Sequence, residues 1–163
     1  MQSVVRELRA EDVAACESLL AGLPDWFGLE ETNREYIGGL LARPSAVAEA
    51  DGAIAGFLSI EQHNPRSAEV HVMAVDAALH RTGVGSALLA WAERWCRENG
   101  VPWLHVKTRG PSTPDPGYEK TRHFYLASGF EPLFETRDLW GPEDAALILV
   151  KTLPERDPPD APA

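Results

Sequence analysis

The stretch from Ala68 to Asn99 constrains this chain most. Ala68–Val75 has the length and β-branched content of a strand, and Gly83–Asn99 carries Val84, Leu88, Trp91 and Trp95 on one helical stripe, with Gly100 to stop it. Between them runs a short loop with glycines 83 and 85 at the helix start. A strand that feeds such a loop into a helix aims free backbone N–H groups, and the positive end of the helix dipole, at one spot. That arrangement is an anion site. Glycine there lets a phosphate approach the backbone without interference from a Cβ.

The flanking segments complete a mixed α/β pattern. Val4–Leu8 reads as a strand, Glu11–Ala21 as a helix, Gly22–Leu29 as a loop holding Trp26 and Phe27, and Glu30–Ala42 as a second helix that Arg43-Pro44 ends. Ala46–Ala50 and Ala53–Glu61 flank Asp51-Gly52, a pair suited to a tight hairpin turn. After Trp103–Thr108, a strand, a Pro/Gly-rich loop (109–117) leads to a short helix over Tyr118–Ser128 and two closing strands, Phe130–Arg137 and Ala146–Leu153. The order β-α-α-β-β-β-α-β-α-β-β predicts one domain over residues 1–153. The tail, 154–163, has four prolines in ten residues and is expected to be disordered.

Two common phosphate loops fail on spacing. Gly85-Ser86-Ala87 lacks the lysine of a Walker loop, and Leu88 stands where a dinucleotide fingerprint needs Gly or Ala. His80-Arg81-Thr82-Gly83-Val84-Gly85 instead resembles the acyl-CoA signature Gln/Arg-x-x-Gly-x-Gly/Ala of the GNAT superfamily of N-acyltransferases, with His80 in place of Gln or Arg. Phe124-Tyr125-Leu126-Ala127-Ser128-Gly129-Phe130 resembles the family's second mark, an aromatic-Tyr-x-x-x-Gly-Phe helix end.

The resemblance implies an acyl-CoA N-acyltransferase fold, a mixed, splayed central β-sheet flanked by helices in which the fourth strand diverges from the fifth. Acetyl-CoA would be the co-substrate. Its pantetheine arm would pair with the backbone of Met73, Ala74 and Val75. Its pyrophosphate would sit on amides of Arg81, Thr82, Gly83, Val84, Gly85 and Ser86. Tyr125 would be the general acid that protonates the departing sulfur, as a phenol with a pKa near ~10 can. Glu69, eleven residues before His80, matches the place of a general-base glutamate in some members, and His71 is the alternative relay. Tyr118 stands where many relatives carry a CoA-contacting asparagine. The acceptor would be a primary amine of a small molecule or peptide, and the alternative is a non-catalytic acyl-CoA-binding module.

Regular alternation would put Glu69, His71, Met73 and Val75 on one face of their strand, and Val70, Val72 and Ala74 on the other. The five histidines show no i,i+4 pair or cysteine partner, so no metal site is expected. Cys16 and Cys96, both in helical patterns, read as buried reduced thiols. A net charge of −10 without a basic stripe speaks against a nucleic-acid partner. No apolar run approaches a membrane span and the first residues do not read as a signal peptide, so a cytoplasmic location is the default expectation. Either a monomer or a homodimer is compatible with the sequence.

Overall fold

Asp51 and Gly52 both take positive φ, 50° and 79°, and close a tight hairpin. The hairpin joins β2 (Ser45–Ala50) to β3 (Ala53–Asn64). In the computed structural model, which describes residues 2–154, β1 (Val4–Glu7) borders β2 and β4 (Ser67–Val75) borders β3. With β5 (Trp103–Arg109), β6 (Glu131–Thr136) and β7 (Ala146–Thr152), they form one seven-stranded sheet in the order β1-β2-β3-β4-β5-β7-β6. All pairings are antiparallel except β4 with β5. The expected order of elements and the α/β class hold. The expected tail lies, apart from Pro154, outside the described residues.

Helices cover both faces. On one, α3 (Val84–Glu98) buries Val84, Leu88, Leu89, Ala92 and Cys96 against Ala48, Leu58, Ile60 and Val70. Gly56 allows this approach, because a Cβ there would lie 2.8 Å from the Ala74 carbonyl oxygen and 3.2 Å from Leu88. On the other, α1 (Val13–Ala21) sets Cys16 and Leu20 against Val47, Phe57, Val72 and Ala74, and Leu40, just past the end of α2 (Glu30–Gly39), joins them. Both cysteines are free, and burial pushes their thiols up to about 12 for Cys16 and about 11 for Cys96.

Several boundaries differ from the sequence reading, and two of them have a local cause. The second helix ends at Gly39 instead of Ala42, and the Arg43 guanidinium occupies the space beside Gly39. The last helix, α4 (Pro116–Ala127), begins before Tyr118 because the Asp115 side chain accepts from the amides of Gly117 and Tyr118, and Pro116 suits the first turn.

The alternation along β4 is broken. Ser59 pairs with Val72 but Ile60 pairs with Val70, which leaves His71 as an extra residue, a β-bulge. Ala68 and Val70 pack in the α3-side core, whereas Val72 and Ala74 pack in the α1/α2-side core and Met73 and Val75 return to the α3 side. The single face expected for Glu69, His71, Met73 and Val75 is therefore corrected. Glu69 and His71 face α2, and Met73 and Val75 face α3.

Candidate active site

Strands β4 and β5 pair only through Ser67–Trp103, Ala68–Leu104 and Glu69–His105. Beyond Glu69 they part, while β5 stays paired with β7 along its whole length. The fork leaves one side of Val70–Val75 without a neighbouring strand. Asp76 N–H donates to the Ala55 carbonyl, so alternate backbone groups at Met73 and Val75 turn the opposite way, into the fork. Those of Ala74 turn to β3. Of the three residues expected to offer backbone to the pantetheine arm, Met73 and Val75 turn theirs into the fork and Ala74 does not.

The Val75 carbonyl already has a partner. The His80 Nε2 lies 2.9 Å from it, and the same imidazole meets Trp26 edge to face at 5.6 Å. Trp26 is held in turn by Tyr118, whose hydroxyl donates to the Trp26 carbonyl at 3.1 Å while Arg109 covers its ring. Tyr118 thus ties α4 to the loop after α1.

The loop from β4 to α3 ends at Gly83, in the left-handed region with φ +93°, and Arg81 also takes positive φ. Thr82 donates its amide and hydroxyl to Leu79, and the first amide of the helix region with a backbone acceptor is that of Ala87. The N–H groups of Arg81, Gly83, Val84, Gly85 and Ser86 have no backbone acceptor among the described residues. Those of Val84, Gly85 and Ser86 belong to the first turn of α3, where the helix dipole adds positive character. Gly85 packs beneath Phe124, whose ring would lie 3.4 Å from a Cβ added there.

Tyr125 leaves α4 next to Phe124 and Phe130, with ring centroids 5.1 and 5.4 Å away. It is 4% exposed, and burial alone pushes its phenol well above its ordinary value. On β5, Thr108 is 4% exposed and its hydroxyl has no hydrogen-bond partner.

Glu69 lies at the crotch of the fork and is 6% exposed. Burial alone would raise its carboxyl. His105 and His63 together with Lys107 outweigh burial and hold it at about 2. The distances to Glu69 oxygens are 2.7 Å for His63, 3.5 Å for His105 and 3.3 Å for Lys107. His71 is the next polar group along this face. It stands edge to face on Tyr36 at 5.3 Å, and burial, then Arg43, lower its pKa. Spacing along the chain did not reveal His63, His105 and Lys107 as neighbours of Glu69. The signal available was register, since residues 105 and 107 share one face of β5.

Residues 11–130 match the model of the acetyltransferase (GNAT) family, and the chain belongs to that family. Solved structures share the fold at low identity. A protein of Desulfovibrio desulfuricans described as of the GNAT family superposes with a TM-score of 0.80 at 19% identity, covering 94% of this chain and 100% of that one. The ribosomal-protein-S18-alanine N-acetyltransferase of Escherichia coli gives 0.76 at 16%, covering 99% and 100%. An aminoglycoside 6'-N-acetyltransferase complexed with coenzyme A gives 0.76 at 14%, covering 95% and 99%. No curated protein matches the chain. No helix among the described residues is long and apolar enough to cross a membrane.

Proposed function

We propose that this protein transfers an acetyl group from acetyl-CoA to a primary amine of a small molecule or peptide in the cytoplasm. One observation carries the reading: the fork between β4 and β5 opens onto the unpaired amides at the start of α3. The residues fit acetyl-CoA. A slot with exposed strand edge suits the amide-bearing pantetheine, the unpaired amides suit a pyrophosphate, and the orphaned Thr108 hydroxyl on β5 offers one more polar contact. Among the similar structures, one is described with coenzyme A and another with acetyl-CoA, and several are named for the acceptor, an aminoglycoside and a ribosomal protein's alanine among them.

The thioester supplies an activated acetyl group when acetyl-CoA is bound. Met73 and Val75 hold the arm by main-chain hydrogen bonds, with Ala74 between them as a spacer packed on the far side. Arg81, Gly83, Val84, Gly85 and Ser86 hold the pyrophosphate on their amides, with Thr82 fixing the turn through Leu79. As the amine nitrogen bonds the acetyl carbon and the carbon–sulfur bond breaks, Tyr125, kept neutral by burial, gives its proton to the departing sulfur. The proton the amine loses passes to His71, whose pKa burial lowers, or to water. Glu69 is the carboxylate of the acceptor side. Because His63, His105 and Lys107 keep it ionised, it acts as a fixed negative charge that orients the amine. Trp26, Phe27 and Tyr36 wall that side against α2.

Free-thiol release from acetyl-CoA across a panel of amines and peptides tests this reading. Amine-dependent release supports it. Tight acetyl-CoA binding without release by any amine supports the non-catalytic binding module.

A further inference from the structure

We infer that His63, Glu69 and His105 form a binding site for one divalent transition metal ion of the zinc class. The three side chains stand on one face of three adjacent strands, β3, β4 and β5, and Glu69 lies directly opposite His105 in the parallel register. Both imidazole Nε2 atoms converge on the same oxygen, Glu69 Oε2, at 2.7 and 3.5 Å. One donor atom from each residue lies within 4.8 Å of the other two. Zinc takes imidazole nitrogen and carboxylate oxygen at about 2.0–2.2 Å in a tetrahedron, so its ligand atoms sit roughly 3.4 Å apart. The His105–Glu69 separation of 3.5 Å is close to that value, and His63, at 2.7 Å, needs to retreat by roughly 0.7 Å.

The set is two nitrogens and one oxygen, the ligand type of zinc sites that keep an open position for water. His63 supplies the access, since its side chain is 43% exposed against 8% for Glu69. Lys107 bonds the other carboxylate oxygen and orients Oε2 toward the histidines, as an outer partner of a ligand does. The sheet holds all three ligands, so little ordering is needed on binding. If the acyl-transfer reading above is right, an ion here blocks the acceptor side and inhibits the enzyme. That consequence rests on the reading; the binding itself does not.

The test is titration of the untagged full chain with Co²⁺ followed by visible absorption, then displacement by Zn²⁺ against a chromophoric chelator. One Co²⁺ per chain is expected, with the d–d bands of a four- or five-coordinate ion. Affinity falls about tenfold or more in His63→Ala and in His105→Ala, and stays unchanged in His123→Ala, an exposed residue of α4. Circular dichroism checks that each variant folds, and the exposed His63 keeps the test valid should His105→Ala unfold. Absence of the bands, or affinity undiminished in His63→Ala, overturns the inference. Acetyl-CoA binding by the same preparation is read separately, so a missing metal site and a missing acyl-CoA site are told apart.

Discussion

The imidazole Nε2 of His80 lies 2.9 Å from the carbonyl oxygen of Val75, which closes the β4–α3 loop back onto the strand it leaves. The resemblance put His80 where relatives carry Gln or Arg. Here that side chain finds a local partner and uses up one of the backbone acceptors that face the fork. His80 also receives Trp26, so a single side chain couples the loop after α1 to the edge of the cleft. Replacing His80 with Ala removes a hydrogen bond of about 1 kcal/mol and loosens the loop. Acetyl-CoA affinity is expected to fall by roughly fivefold, read by calorimetry, with the fold retained.

Gly83→Val and Gly85→Val are expected to abolish acetyl-CoA binding. At Gly83 the positive φ strains any side chain, by about 1–3 kcal/mol. At Gly85 a Cβ would already touch Phe124, and the valine methyls force the ring away from the start of α3. Both variants should keep the far-ultraviolet spectrum of the parent protein. Unchanged calorimetric affinity in either would remove the anion-site argument.

Tyr125→Phe separates chemistry from packing. The ring contacts with Phe124 and Phe130 survive the change, and only the hydroxyl is lost. Turnover should drop by roughly 10²- to 10⁴-fold, the usual worth of a positioned acid, with acetyl-CoA affinity within a few-fold of the parent. Parental turnover in Tyr125→Phe would show that the sulfur departs unaided.

Acid stability depends on a pair at the start of the chain. Arg6 donates to both oxygens of Asp12, at 2.7 and 2.9 Å, and the Arg9 amide adds a third bond. The Arg6 bonds chiefly, against the opposing effect of burial, hold the Asp12 carboxyl below its unfolded value. A group with a depressed folded pKa contributes stability that is present above its unfolded pKa, near ~4, and is lost as pH falls through the folded one. The melting temperature should therefore decline on acidification below about pH 5. Asp12→Asn should melt lower at neutral pH and decline less steeply.

Much of this was readable along the chain because strand, loop and helix each announce themselves locally. Asp51-Gly52, the α3 stripe and the glycines at 83 and 85 fall where their chemistry demands. Asp115-Pro116 carried a readable helix start that the spacing of apolar residues obscured. The bulge at His71 left no mark, since His71-Val72 is as strand-like as its neighbours and only the pairing with β3 creates the extra residue. That single slip moved Met73 and Val75 to the face opposite Glu69. The grouping of His63, His105 and Lys107 about Glu69 was equally hidden, because three strands far apart in sequence supply it.

The most direct test of the account is the coupled measurement of free thiol and acetylated amine, with acetyl-CoA and the amine and peptide panel. The account predicts that at least one amine gives thiol and acetylated product in equal amounts, at a rate that collapses in Gly85→Val. Thiol release that is independent of amine, or no acetylated product from a protein that binds acetyl-CoA, would contradict it.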